Sequence, residues 1–265
     1  MSTLIQEQLR REALEIAIWA EGRPAPLWET LEKLGLLGDD SHQETGVGNT
    51  YGWDSSGLPG LGPLAPFGSW QSVAATILRK AEDSAGFDQS STEFDVIRWI
   101  NFRDQFETMP FLADITEDSH GASISSLSLR PVISAVTNLV GGLVTSDTLT
   151  GIINSIKKIA ELAVQNKGRQ QKNSNVQQGV LTVVNGDLRL GLLRTTVQME
   201  YKTGKGYQQL NQQVTVSRLF GSLDYDKCVR NAETLLEWDG RDVHDWVNGA
   251  SSSPYPLNTS PAWDN

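Results

Sequence analysis

The chain has 265 residues, a formal net charge of −10, 38% hydrophobic and 20% charged residues, and a single cysteine. That composition is sufficient for a folded core, and the lone Cys228 excludes an intrachain disulfide framework and a zinc site built from cysteines. Charge is segregated along the chain: residues 121–222 hold eleven Lys and Arg against four acids (Asp147, Glu161, Asp187 and Glu200), whereas the flanks hold eleven bases against twenty-eight acids. A basic centre between acidic flanks points to an anionic partner, or to acidic segments folded over a basic insert.

The N-terminus has no basic stretch followed by an apolar run, so it does not read as a secretory leader. This predicts synthesis as a cytoplasmic protein, with release or membrane association as later steps. From Thr3 to Ala20, apolar residues at Leu4, Ile5, Leu9, Leu14, Ile16 and Ile18 alternate with charges at helical spacing, and Arg23-Pro24-Ala25-Pro26 ends the helix. A short helix over 27–37 is expected next. Residues 38–68 are rich in Gly and Pro, which predicts a long loop that packs down through Tyr51, Trp53, Leu64, Phe67 and Trp70. A ligand lid is the sharper reading of that loop.

Ser69 is placed to cap a helix over 70–84, and Ser90-Ser91-Thr92-Glu93 has capping-box spacing ahead of a helix over 94–107. The stretch 127–144 is nearly charge-free and reads as a buried helix interrupted at Gly141-Gly142. Its uncharged run, Pro131 to Ser146, is shorter than the ~20 apolar residues a membrane-crossing helix needs. A second helix over 148–165 carries Ile152, Ile153, Ile156, Ile159 and Leu162 on one face, with Lys157, Lys158, Lys167 and Arg169 near its C-terminal half. Polar residues 165–175 then read as a solvated linker.

Beyond it the period changes to two. Residues 176–184, 187–202 and 207–220 read as the strands of a three-stranded antiparallel meander, turned at Asn185-Gly186 and Thr203-Gly204-Lys205-Gly206. In the middle strand the apolar set shifts from Leu188, Leu190 and Leu192 to Leu193, Val197, Met199 and Tyr201, which predicts a bulge near Gly191. Helices follow over 225–238 and 241–248, and residues 251–265, rich in Ser and Pro, form an expected disordered tail.

The expected fold is therefore α+β: a mostly helical domain over 1–250 with the meander, 176–220, packed against helices. Chemistry is sparse. No recognised catalytic fingerprint occurs, and the densest polar cluster, 237–246, contains Asp242, His244 and Asp245. Cys228 falls in Asp224-Tyr225-Asp226-Lys227-Cys228-Val229-Arg230, where a first helical turn and two bases would lower its thiol pKa, making it a reactive thiol or a lipid attachment point; the plainer alternative is a buried small hydrophobe. Strands with apolar and small polar residues in alternation have the pattern of a membrane-active hairpin. Lys202, Lys205, Lys157 and Lys158 would meet an anionic membrane surface or host protein. Nucleic acid is disfavoured by dispersed bases and an acidic whole. These features predict a membrane- or host-directed, toxin-like effector without catalysis or cofactor, anchored by a fatty acyl group if Cys228 is acylated. The alternatives are an enzyme using Cys228 or the Asp242/His244/Asp245 cluster, and a structural protein that self-assembles as a homo-oligomer.

Overall fold

The computed structural model describes residues 2–22, 41–47, 57–87, 96–141, 146–184 and 186–239. In chain order its elements are α1 (Ser2–Ala20), β1 (Ser41–Val47), a 3-10 helix (Gly62–Phe67), α2 (Trp70–Ala85), α3 (Val96–Glu107), β2 (Leu112–Ser125), α4 (Arg130–Val140), α5 (Ser146–Gln165), β3 (Gln170–Val184), β4 (Asp187–Gly204), β5 (Tyr207–Leu223), α6 (Tyr225–Arg230) and α7 (Ala232–Trp238). The architecture is α+β. The helix start at Ser69 forms as its sequence requires, its hydroxyl accepting from the Ser72 backbone N–H at 3.1 Å. The capping box at 90–93, the helices expected at 27–37 and 241–248, and the tail 251–265 lie outside the described residues.

The sheet is larger than the expected meander. Four antiparallel strands are ordered β3-β4-β5-β2, and β1 adds a short parallel strand on the outer side of β3. The fourth antiparallel strand, β2, comes from a segment whose polar sequence gives no period-two signal. The region 38–68 is also more structured than a loop, since it contains β1 and the 3-10 helix. The solvated linker expected at 165–175 is mostly sheet: β3 begins at Gln170, opposite Glu200 of β4. Backbone groups that a linker would leave to water are there paired in the ladder.

The change of apolar phase in β4 has another cause than a bulge. The register between β4 and β5 runs unbroken from Arg189↔Ser222 to Gly204↔Tyr207. Consecutive side chains of a strand point to opposite faces, so Leu192 and Leu193 simply belong to different cores. The irregularity lies instead on β3, between Gln178 and Val180, opposite Leu192 and Gly191.

Among the described residues, each face of the sheet is therefore covered at one end only. On the front face, Leu188, Leu190 and Leu192 with Leu219 and Leu223 join Phe102, Phe106, Phe111, Val73 and Ile77 in a core built by α1, α2, α3, the 3-10 helix, α6 and α7. On the back face at the other end, Leu193, Val197, Met199 and Tyr201 with Leu210, Val214 and Val216 pack under Val132, Val136, Val140, Ile152, Ile156 and Ile159 of α4 and α5. Two reciprocal bonds tie α1 into the front core: Trp19 Nε1 donates to the Gln105 carbonyl at 2.8 Å, and Gln105 Nε2 donates to the Trp19 carbonyl. Tyr225 of α6 closes the β3–β4 turn, its hydroxyl accepting from the Leu188 N–H at 2.7 Å and donating to the Gly186 carbonyl at 3.3 Å. Gly186 has φ +83°, the positive φ that the hairpin signal calls for.

Candidate functional site

The half of the sheet under α4 and α5 is amphipathic across its thickness. Its back is the apolar surface just described. Its front carries Thr196, Gln198 and Glu200 from β4, Asn211, Gln213, Thr215 and Ser217 from β5, and Ser119, Ser123 and Ser125 from β2. The front side chains are exposed or half-buried. They enclose an open hollow of about 260 Å³ whose wall includes Gln170, Gln198, Glu200, Asn211, Gln213 and Ser123. Charges stand at the two ends of this β4 segment. Arg194 lies over the Trp99 ring at 5.5 Å where α3 meets the sheet, and at the far end Glu200 and Lys202 pair at 3.0 Å.

Two buried polar side chains sit between this half-sheet and its helical cover. Gln212 Nε2 donates to the carbonyls of Ser126 (2.6 Å) and Ser128 (3.0 Å), pinning the turn from β2 into α4. Its Oε1 and the Thr195 Oγ1 are buried and find no hydrogen-bond partner among the described residues. An unpaired buried oxygen costs roughly 1–3 kcal/mol. The contact between cover and sheet is thus apolar, with two local weaknesses.

Four of the eleven bases of the basic centre collect at one end of the sheet. The Gly168 N–H donates to the Tyr201 carbonyl at 2.9 Å, which seats the α5–β3 connection beside the β4–β5 turn. Lys167 and Arg169 of the first, and Lys202 and Lys205 of the second, are all exposed. Sequence reasoning grouped Lys202 and Lys205 with Lys157 and Lys158. The structure brings the first two together with Lys167 and Arg169, while Lys157 is half-buried and Lys158 exposed on α5, roughly 10 Å back from the helix end at a rise of 1.5 Å per residue. The signal for Lys167 and Arg169 was their position directly after a helix whose end must return to the sheet.

Of the readings of Cys228, the structure bears out the buried one. It lies in α6, fully buried in the front core. Burial and the neighbouring Asp224 push its thiol pKa well above the ordinary value, and the nearby Lys227 does not offset this. The lowered pKa expected from a helix start and two bases is reversed, because desolvation of the thiolate outweighs both. Nothing in the described geometry supports an acyl chain on this sulfur. Lys227 and Arg230 turn outward instead, to Glu15 at 3.3 Å and Glu12 at 3.0 Å on α1. Asp242, His244 and Asp245 lie outside the described residues. Among the described residues, no group of His, Cys, Asp and Glu is placed to hold a metal ion, and no helix is long and apolar enough to cross a membrane.

No family model matches the chain, and no curated protein matches it. Among solved structures it is similar to one described as the Evf virulence factor, with 10% identity and a TM-score of 0.40 over 80% of each chain. It is also similar to a delta-endotoxin, with 9% identity and a TM-score of 0.33 over 70% of this chain and 82% of that one. Both likenesses are distant.

Proposed function

We propose that the protein is a membrane-directed, toxin-like effector that acts without catalysis, and that the half-sheet under α4 and α5 is the part that meets lipid. The observation that carries this reading is the amphipathic half-sheet itself. From Leu193 to Tyr201, β4 alternates buried apolar or small residues on the back with polar ones on the front, and from Leu210 to Val216 β5 does the same apart from the buried Gln212 on its back. A tilted strand of about 9–11 residues crosses the hydrocarbon layer, and a spanning strand needs an apolar face for lipid and a polar face for water. Paired strands have no unsatisfied backbone groups between them, as a bilayer requires. The step needed is displacement of the α4–α5 pair, which exposes the back face while leaving β4 and β5 paired.

The basic end supplies first contact. Each base near an anionic leaflet contributes about 1 kcal/mol, and the attraction weakens as added salt shortens the Debye length from about 10 Å at 0.1 M to about 3 Å at 1 M. The test is co-sedimentation with vesicles. The intact chain should bind phosphatidylserine-containing vesicles over neutral ones, lose binding in high salt, and bind at least about tenfold more weakly as Lys202→Glu/Lys205→Glu. Absence of binding to either vesicle type at low salt ends this reading.

A further inference from the structure

The sheet order ends at β2, so among the described residues nothing pairs with that strand's outer edge. Exposed edges invite strand pairing, and proteins usually protect them with charge, proline or a bulge. The first part of β2 is protected in this way. Its register with β5 shifts between Ala113 and Thr116, where Asp114 has φ +52°. Glu117 and Asp118 follow, held to Arg103 at 2.7 Å and Arg218 at 2.6 Å.

The rest of β2 has no such protection. From Ser119 to Ser146, through the end of β2 and all of α4, the charged or titratable side chains are His120, Arg130 and, at the end, none until Asp147. In a chain that is 20% charged, the exposed or half-buried stretch 119–128 carries one titratable side chain, His120, so little charge opposes the approach of another strand.

We propose that this edge pairs antiparallel with β2 of a second copy, about a two-fold axis at Gly121. An axis perpendicular to the sheet opposes residues of the same face and makes the interface the same patch on both copies. Ser119 then faces Ser123, His120 faces Ala122, Asp118 faces Ile124 and Glu117 faces Ser125. No like charges are opposed, and the regular part of the strand is used to its end. A shift of two residues toward the N-terminus would oppose the two His120 rings. A shift the other way would shorten the pairing. The product is a continuous antiparallel sheet in which the polar fronts of the two copies join. This inference does not depend on the membrane reading and is tested without lipid.

The test is sedimentation velocity on the intact chain across the micromolar range. A concentration-dependent dimer is expected. Ser119→Lys/Ser123→Lys places like charges opposite each other twice across the axis and should raise the dissociation constant about tenfold. Ser119→Glu/Ser123→Lys places opposite charges there and should restore dimerisation. Within one copy the two positions are about 13 Å apart, so any restoration reports pairing between copies. Both side chains are exposed in the single chain, and an unchanged melting midpoint checks that folding is intact. A chain that stays monomeric, a dimer indifferent to the lysines, or a charge-swapped variant that fails to recover each overturns the proposal.

Discussion

Gly191 sits beneath the ring of Phe220, its cross-strand partner. A Cβ built on Gly191 would overlap Cε1 and Cδ1 of Phe220, so the ring occupies the volume of the missing side chain. Glycine in a strand costs about 0.5–1 kcal/mol relative to alanine, while an added methyl that must displace a packed group costs about 1–3 kcal/mol. With the ring present the second effect wins, and Gly191→Ala should destabilise the protein by about 1–2 kcal/mol. With the ring removed the sign inverts: in a Phe220→Ala background, Gly191→Ala should stabilise by about 0.5–1 kcal/mol. The coupling is then about 2 kcal/mol, and each kcal/mol corresponds to about 2–4 °C in Tm for a chain of this size. Thermal and urea unfolding of the four proteins measures it. An alanine with the same effect in both backgrounds would show that the ring does not lie over Gly191, and would reopen the reading of an unbroken β4–β5 register.

Tyr225→Phe removes the hydroxyl that serves Leu188 N–H and Gly186 carbonyl. It should cost about 1–2 kcal/mol, and an unchanged urea midpoint would mean that α6 does not close the β3–β4 turn. Cys228 should resist an aromatic disulfide reagent in the native protein and react at once in denaturant, with an intact mass equal to that of the sequence; fast native labelling would refute its burial. Glu12 and Asp118 both have carboxyl pKa values below the ordinary range, chiefly through hydrogen bonds from Arg230 and Arg218. Folding thus lowers their proton affinity, so their contribution is present above the ordinary carboxylate pKa of about 4 and is lost as pH falls below it. Glu12→Gln/Asp118→Asn should flatten the acid limb of a Tm-against-pH profile, and an unaltered limb would contradict those pairings.

The parts of the fold that were legible in the sequence are those with one buried side per element. Ser69 and the stripe of α2, the isoleucines of α5 and the alternation of β5 each specify a face and a period. Strand β2 was not legible because it is an edge with water on much of its surface, and among its residues only Ile115, Ala122 and Ile124 hint at alternation. The two apolar sets of β4 were visible, but they read as a bulge under the assumption that a sheet is covered on one face. They are the pattern of a strand covered on opposite faces at its two ends. Cys228 admitted a buried and a reactive reading, the second suggested by the charges around it. Its spacing to Ala232 and Leu235 puts it on the apolar side of the chain's last described helices, and that was the better guide. The basic end was legible only as an excess of charge, since the closure that brings Lys167 and Arg169 to Lys202 and Lys205 depends on α5 returning to the start of β3.

In the proposed function the α4–α5 pair is a cover that leaves the sheet when the protein meets an anionic membrane. Backbone hydrogen exchange, followed peptide by peptide with and without phosphatidylserine-containing vesicles, tests it most directly. Vesicles are expected to raise exchange in α4 (Arg130–Val140) and α5 (Ser146–Gln165), while β4 and β5 between Leu193 and Val216 stay protected. Bound protein whose α4 and α5 amides remain as protected as in solution would contradict it.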